Sequence, residues 1–368
     1  MKVLHFAPSL QSGGATQLAV DLAYALQTLD VQSILAAPAE DVKNTPAATH
    51  LRYIPYRPYT LPGKWGELLK LRNLIADRKP DILQAYGYAA IATAAKACRL
   101  LSPARRPLLI GAITGYPSSS EALQAAELPS CAAITVISKH LRQRLKQQEP
   151  SITKSWVIPY GVNETLCYPL YQSSQEWNNQ WATDRPELRN RFTVCLPGPI
   201  SSAHGTADIV PIISTLLQQD IPVHILIAGD SNLADPAFMA TLRRRIRSSG
   251  VEQHITWLEN TSPLRDILCS SHAVINLATS PEAYNRPMLE ALSLGRPVAG
   301  YDHGIAGEYL EAFLPVGIAP VGDYDAIADL LSQWHTNPPD PVEHIPYPYR
   351  LSDTAKSYYD LYNTLTQE

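Results

Sequence analysis

Two glutamates separated by seven residues are the strongest chemical signal in the sequence. Glu282 and Glu290 lie in the stretch SPEAYNRPMLEALSLGRPVAGYDHG, which follows the apolar segment AVINLA. Asn285 is a suitable N-cap, and Pro287 suits the first turn of a helix because its missing N–H would be unpaired there anyway. The pattern therefore predicts one carboxylate in a loop above a sheet and the other in the first turns of a helix.

The backbone at this helix start predicts an anion site between the two carboxylates. A helix N-terminus presents unpaired N–H groups to anions, and here these groups lie around Tyr284, Asn285 and Arg286. Carboxylates beside an anion site suit a nucleoside diphosphate sugar, with Glu290 accepting from the ribose and Glu282 lying at the sugar. The alternative is that both acids serve only the electrostatics of the helix end.

Glycine-containing loops between a strand and a helix occur at three further points, in PSLQSGG, LPGPISSAHG and LIAGDSN. Glycines there let the backbone approach a ligand closely, although each loop alone is equally well explained as a plain turn. None of them is a GxGxxG motif, so we do not expect a nicotinamide cofactor. The candidate binding residues in these loops are Gly13, Gly14, Gly198, His204, Gly229 and Asp230.

The elements that must position these residues alternate as strand and helix through both halves of the chain. Apolar strands such as VLHFA and DILQA alternate with helical patterns, which indicates parallel sheets covered on both faces. We predict an α/β fold with two Rossmann-like, doubly wound parallel-sheet domains facing a cleft, the default ligand site in such proteins. The predicted parts are residues 1–165, a linker or surface excursion at 166–191, residues 192–349, and a C-terminal helix at about 350–368 that packs back on the first domain.

Composition favours a soluble protein of the cytoplasm. The chain of 368 residues is 45% hydrophobic and 17% charged, and no apolar run approaches the roughly 18–20 residues that cross a bilayer. The N-terminal MKVLHFAPSL reads as a first strand rather than a signal peptide. Five scattered cysteines without a CxxC pair are typical of reducing cytoplasm.

Charge differs between the two halves and hints at an anionic partner for the first. Residues 1–165 contain 18 Lys+Arg and 11 Asp+Glu, whereas residues 166–368 contain 12 and 23. The segment SKHLRQRLKQQ concentrates basic residues on one predicted helix. We expect peripheral contact of this half with the inner face of the cell membrane and no nucleic-acid partner; the alternative is two independently solvated surfaces.

The glutamate stretch resembles the Glu-x7-Glu signature of retaining glycosyltransferases of the GT-B fold, family 4. MKVLHFAPSLQSGGATQLAVDLAYAL resembles the family's opening strand, Gly-Gly loop and first helix, and further segments follow in the family's order: AAITVISKHLRQRL, WVIPYGVNETLCYP, HILIAGDSN, HITWLEN and VGDYDAIADLL. The resemblance implies that a nucleotide-sugar donor is held mainly by the second domain. It also implies that Glu282 is the catalytic residue beside the donor sugar and that Glu290 binds the ribose.

Several residues depart from the family's pattern. The family usually places an arginine and a lysine after the first strand of its second domain, where they neutralise the donor diphosphate, and here the corresponding residues are Pro199 and His204. Two histidines expected on the acceptor side are replaced by Tyr86 and, as the nearest substitute, Tyr116. Arg286 remains as the side chain that we expect to reach the diphosphate.

Together these features predict a hexosyltransferase-like, retaining glycosyltransferase that acts on a glycan or a lipid-linked acceptor in polysaccharide or glycoconjugate synthesis. Front-face transfer needs positioning and electrostatic stabilisation rather than a dedicated base. We expect no cofactor beyond the nucleotide-sugar substrate and no essential metal. One alternative is an accessory GT-B subunit that grips a glycan or a partner transferase without catalysis, and a nucleotide-sugar epimerase or phosphorylase of similar fold is another.

Overall fold

The computed structural model describes residues 1–7, 13–37, 52–55, 65–117, 119, 127–150, 152–258 and 263–367. Its contacts divide the chain into two compact units, one formed by Met1–Gly161 with Tyr347–Glu368 and the other by Val162–Pro346. Each unit contains one parallel sheet with helices packed on it, so the predicted α/β class and the two Rossmann-like domains are confirmed.

The strands are β1 (Lys2–Phe6), β2 (Gln32–Ala37), β3 (Arg52–Pro55), β4 (Ile82–Tyr86), β5 (Leu108–Ile113), β6 (Ala133–Val136), β7 (Ser155–Val157), β8 (Phe192–Pro197), β9 (Val223–Ala228), β10 (Ile255–Leu258), β11 (Ala273–Asn276), β12 (Val298–Tyr301) and β13 (Ile318–Ala319). The α-helices are α1 (Gly13–Ala25), α2 (Trp65–Arg78), α3 (Tyr88–Arg99), α4 (Lys139–Gln148), α5 (Gln175–Asp184), α6 (Ile209–Gln218), α7 (Pro236–Ser248), α8 (Leu264–Cys269), α9 (Arg286–Ser293), α10 (Gly304–Phe313), α11 (Tyr324–Thr336) and α12 (Leu351–Gln367).

The first unit is built on a seven-stranded sheet in the order β3-β2-β1-β4-β5-β6-β7. Neighbouring strands are parallel, and β1 pairs with β4 in the register Val3↔Ile82 to Phe6↔Ala85. The C-terminal helix α12 belongs to this unit, because the rings of Tyr358 and Tyr362 are 1% and 0% exposed in the same apolar cluster as residues of the sheet.

The second unit is built on a six-stranded parallel sheet in the order β10-β9-β8-β11-β12-β13. The strand order reverses between β8 and β11, which pair through Ala273↔Val194 and Val274↔Cys195. In open α/β sheets, ligands bind outside the carboxyl ends of the strands at such a switch point. The loops that follow β8 and β11 are therefore where the fold itself places a candidate site.

Two parts of the chain differ from their predicted extents. The sequence pattern predicts an arginine-rich helix over Leu242–Ser248, but α7 begins at Pro236 because Asp235 caps it, accepting from the backbone N–H of Phe238 at 2.7 Å. Residues 166–191, predicted as a linker or surface excursion, contain helix α5 and lie in the second unit. They are tied to α8 and the residue after it, because the Tyr171 hydroxyl donates to Asp266 at 2.7 Å and the Trp177 indole donates to Ser270 at 3.4 Å.

Within the described ranges, no helix is long and apolar enough to span a membrane.

Candidate active site

The loop and helix that carry the two glutamates follow β11 as predicted. Asn285 is the N-cap of α9: its side-chain oxygen accepts from the backbone N–H of Met288 at 2.9 Å, and Pro287 occupies the first turn. Glu282 lies in the loop and Glu290 in the helix, so the predicted helix start is confirmed. Tyr284, between Glu282 and the cap, is half-buried.

The carboxylate of Glu282 is held by three side chains. Its Oε2 accepts from the amide nitrogens of Asn285 at 2.8 Å and Asn276 at 3.1 Å, and its Oε1 lies 3.5 Å from Nε2 of His204. The backbone is fixed as well, because the Glu282 carbonyl accepts from the N–H of Ile305 at 2.9 Å. The side chain is 17% exposed, so Glu282 presents a fixed and largely desolvated negative charge.

These contacts set the charge state of Glu282. Burial alone would raise its pKa, but hydrogen bonds from His204, Asn285 and Asn276 and the proximity of the imidazole outweigh burial and leave the pKa below its usual value. The carboxyl group is therefore ionised at neutral pH. A carboxylate that is both desolvated and ionised interacts strongly with positive charge that develops next to it.

The loop after β8 brings His204 to this carboxylate. Gly205 adopts a φ of +64°, and a Cβ there would lie 1.9 Å from the carbonyl oxygen of Leu277, so only glycine allows this close approach to the residue after β11. The carbonyl of Ala203 accepts from the backbone N–H of Thr279 at 3.0 Å. The loop is thus fastened to the carboxyl end of the neighbouring strand.

Glu290 and Arg286 form an ion pair on the first turns of α9. The Arg286 Nε lies 2.7 Å from Oε1 of Glu290. Residue Glu290 is 8% exposed, whereas the side chain of Arg286 is 44% exposed. Arg286 was predicted to reach a diphosphate, and in the structure its Nε contacts the carboxylate of Glu290. Because Glu290 uses one oxygen in this pair, its second oxygen is the one with capacity for a ligand hydroxyl.

The remaining residues predicted on this side lie at the ends of β8 and β9. A Cβ on Gly229 would meet the carbonyl oxygen of Gly198 at 2.2 Å, so the two loops pass each other with backbone in contact. Asp230 accepts from the backbone N–H of Asn232 at 2.9 Å and shapes its own loop.

The residues predicted on the acceptor side belong to the first unit. Gly13 and Gly14 begin α1, while residues 8–12 before them lie outside the described residues. Tyr86 is 4% exposed, and its hydroxyl lies 2.8 Å from Nδ1 of His5 and accepts from Gln84 at 3.0 Å. Its hydroxyl is thus engaged inside the unit, with burial raising the pKa of Tyr86 and lowering that of His5 to about 3.

Tyr116 occupies a different environment from Tyr86. It is half-buried beyond the end of β5, and its hydroxyl lies 2.6 Å from Nδ1 of His140, the second residue of α4. The imidazole that the family pattern led us to expect near Tyr116 is therefore present, but it comes from a helix later in the chain.

Comparison with known families gives matches in both units. The model described as Glycosyltransferase Family 4 matches residues 12–166, and the model described as Glycosyl transferases group 1 matches residues 191–337. The chain belongs to the GT-B glycosyltransferases. A comparison with curated protein sequences finds no significant match.

Solved structures share the fold of this glycosyltransferase over its whole length. A glycosyltransferase from Rickettsia africae has a TM-score of 0.82 at 16% identity, covering 100% of this chain and 99% of its own. HepE from Anabaena, solved with UDP-glucose, has a TM-score of 0.76 at 17% identity, with 100% and 97% covered. Sucrose-phosphate synthase from Thermosynechococcus elongatus has a TM-score of 0.67 at 14% identity, with 100% and 96% covered.

Three residues of this glycosyltransferase that contact predicted site residues were not themselves predicted from the sequence. Asn276 contacts Glu282, Ser201 contacts His204, and His140 contacts Tyr116. Asn276 had a sequence signal, because it is a polar residue inside the apolar segment AVINLA, at the end of a buried strand. Among the described residues, no group of three or more His, Cys, Asp or Glu could hold a metal ion.

Proposed function

We propose that this protein is a retaining glycosyltransferase that moves a hexosyl group from a nucleoside diphosphate sugar to a glycan or lipid-linked acceptor, in polysaccharide or glycoconjugate synthesis in the cytoplasm. The observation that carries this proposal is the carboxylate of Glu282, which is held on Oε2 by two amides at the switch point of the second sheet. A ligand at that edge of the sheet would lie beside this carboxylate.

Glu282 would act on the donor sugar through its charge. Glycosyl transfer passes through a transition state with oxocarbenium character, in which positive charge builds up on the sugar ring. A fixed carboxylate stabilises such charge without reorganising, since its hydrogen bonds are already in place. With the leaving diphosphate assisting attack on the same face, the configuration of the sugar is retained and a separate base is not needed.

Glu290 and Arg286 would bind the nucleotide part of the donor. The second oxygen of Glu290 suits a ribose hydroxyl, and the half-exposed guanidinium of Arg286 suits a phosphate. The order of this pair supports a functional role, because a cation in the first turn opposes the helix dipole and an arginine four residues before a glutamate is the weaker arrangement for helix stability. Stability of α9 alone therefore does not favour the pair.

Donor binding and transfer can be tested directly. A thermal-shift panel of nucleoside diphosphates and their sugars should show a raised melting temperature for the bound donor, and UDP-sugars lead the panel because HepE was solved with UDP-glucose. With that donor, Glu282→Gln should retain nucleotide binding and lose transfer. NMR of the product should show a retained anomeric configuration, and EDTA should leave the rate unchanged. A panel without any shift at millimolar donor would refute the proposal.

An accessory GT-B subunit that binds without catalysis is the second candidate. Pro199 and His204 stand where the family places its phosphate-neutralising arginine and lysine, and His204 is engaged with Glu282. This candidate predicts binding of a glycan or a partner transferase and no turnover of any donor. Donor binding with measurable transfer by the isolated chain would exclude it.

We also propose that the first unit contacts anionic membrane, which would bring a lipid-linked acceptor within reach. Lys139, Arg144 and Lys146 are exposed on α4, and each basic residue near an anionic leaflet contributes about 1 kcal/mol. Flotation with anionic liposomes should retain the protein at low salt and release it at high salt. Absence of retention at low salt would exclude this contact.

A further inference from the structure

A serine and a histidine in the loop after β8 form a chain of contacts that ends on Glu282. The Ser201 Oγ lies 2.7 Å from Nδ1 of His204, and Nε2 of His204 lies 3.5 Å from Oε1 of Glu282. The same Ser201 Oγ is also 3.3 Å from the backbone nitrogen of His204. Both ring nitrogens of the imidazole therefore have partners within the second unit.

The chemistry of these partners selects one neutral form of the imidazole. An ionised carboxylate only accepts hydrogen bonds, so Nε2 of His204 must carry a proton where it faces Glu282. In the neutral ring Nδ1 is then an acceptor, and the Ser201 hydroxyl must donate to it. The Ser201 oxygen remains able to accept from the His204 backbone N–H, so each proton in the chain points at an acceptor.

The position of Ser201 is itself fixed. The Thr206 hydroxyl accepts from the backbone N–H of Ser201 at 3.2 Å and donates to the Ser201 carbonyl at 3.2 Å. Thr206 is 1% exposed, and the loop between the two residues is fastened to the end of β11 through Ala203. The serine hydroxyl is therefore presented to the imidazole by rigid backbone.

We propose that Ser201 and His204 are positioning residues for Glu282, with Ser201 selecting the tautomer of His204 and His204 holding Oε1 of Glu282 in place. His204 was expected to lie at the donor diphosphate, but with Nε2 on Glu282 and Nδ1 on Ser201 it has no ring nitrogen left for a phosphate. This inference rests on the proposed function, in which Glu282 acts on the donor sugar.

The tautomer can be observed without any substrate. Nitrogen-15 NMR of histidine-labelled full-length protein should show His204, assigned by its absence in His204→Gln, as the form protonated on Nε2 at about pH 8. Ser201→Ala should shift His204 toward a mixture of tautomers, whereas the matched variant Ser202→Ala, in the same loop, should leave the spectrum unchanged. A wild-type His204 protonated on Nδ1, or averaging between both forms, would overturn the proposal.

The effect on transfer follows from the same contacts. At about pH 8, Ser201→Ala should lower kcat by up to about ten-fold with little change in KM for the donor, because in the mixture of tautomers part of the protein lacks the hydrogen bond from His204 to the charged Glu282. Ser201→Thr keeps a hydroxyl at this position and should restore the wild-type kcat. Glu282, the ionisable side chain that contacts His204 among the described residues, is ionised at this pH because its pKa lies below the usual value.

The alternative outcomes separate the two proposals. If His204 binds the diphosphate instead, His204→Gln should raise KM for the donor, and Ser201→Ala should leave kcat at the wild-type value; this result would overturn the positioning role. If the wild type turns over no donor, the proposed function fails, and the NMR experiment still decides whether Ser201 and His204 hold Glu282 as described.

Discussion

Replacing Glu290 by glutamine would separate a ribose-binding role from a purely structural one. Glutamine has nearly the same shape, so a residue that is 8% exposed can be replaced without opening a cavity. The change removes the negative charge and with it the ion pair to Arg286. It also replaces one carboxylate oxygen by an amide nitrogen, so that a single neutral acceptor remains where the carboxylate would hold the hydroxyl groups of a ribose.

The two roles differ in magnitude. A partly exposed ion pair four residues apart on a helix contributes only about 0.3–0.5 kcal/mol, and the order of Arg286 and Glu290 is the weaker one. A hydrogen bond from a ribose hydroxyl to a charged carboxylate contributes about 1.5–3 kcal/mol, which is roughly ten- to a hundred-fold in Kd. We therefore expect a small change in the free energy of unfolding and a large change in nucleotide affinity.

Calorimetric titration of the nucleoside diphosphate found by the thermal-shift panel provides the assay. The control is the same nucleotide lacking the ribose hydroxyls. Both nucleotides are titrated into the wild type and into Glu290→Gln, and the four affinities form a double-mutant-type cycle that isolates the interaction between Glu290 and the hydroxyls. If Glu290 binds the ribose, the wild type should lose affinity for the deoxy compound, while the variant, whose amide oxygen is a weaker acceptor than a charged carboxylate, should lose much less. Equal losses in both proteins, or an unchanged affinity of Glu290→Gln, would leave the residue with a structural role only.

Three further predictions concern the supports of the candidate site and the core of the first unit. Asn285→Ala should cost about 1 kcal/mol of stability by removing the helix cap, which urea unfolding measures. Asn285→Ser should keep the cap yet raise the pKa of Glu282 toward its usual value, which a carbon-13 titration measures. In that variant the stability that comes from ionised Glu282 is lost at a higher pH on acidification. Gly205→Ala should lower the free energy of unfolding in urea by more than about 3 kcal/mol, because the neighbouring backbone must move. The control Gly250→Ala has a similar φ of +68° with open space around it and should lower it by about 1–2 kcal/mol. Equal losses in the two variants would contradict this reasoning. Tyr362→Phe should cost about 1–3 kcal/mol because a buried amide oxygen loses its donor, and an unchanged midpoint in urea would show that water replaces the hydroxyl.

Features that depend on neighbouring residues were predictable from the sequence. The helix start at Asn285 follows from a capping side chain followed by a proline, and both signals lie within three residues. The helical spacing of apolar residues predicts helices over Trp65–Arg78 and Lys139–Gln148, and these are the bounds of α2 and α4. Helix α5 was missed since its sequence is polar and the indole of Trp177 finds its hydrogen-bond acceptor in Ser270, far along the chain.

Contacts between distant residues were not predictable in the same way. Tyr86 ends an apolar strand and resembles a loop residue in the sequence, yet its hydroxyl is buried between His5 and Gln84, because β1 and β4 are neighbours in the sheet. Likewise, Tyr116 receives an imidazole from His140 on a later helix. Neither His5 nor His140 has a local sequence signal as a partner, since contacts between distant residues are set by how the strands and helices pack.

The sequence by itself determined the alternation of strands and helices, and hence the two parallel sheets, together with the loop and helix that carry Glu282 and Glu290. Periodicity, capping and turn residues act over a few positions and are readable there. Only the tertiary structure decided what surrounds Glu282. The pairing of β8 with β11 brings His204, which was expected at the diphosphate, to within 3.5 Å of a carboxylate 78 positions along the chain.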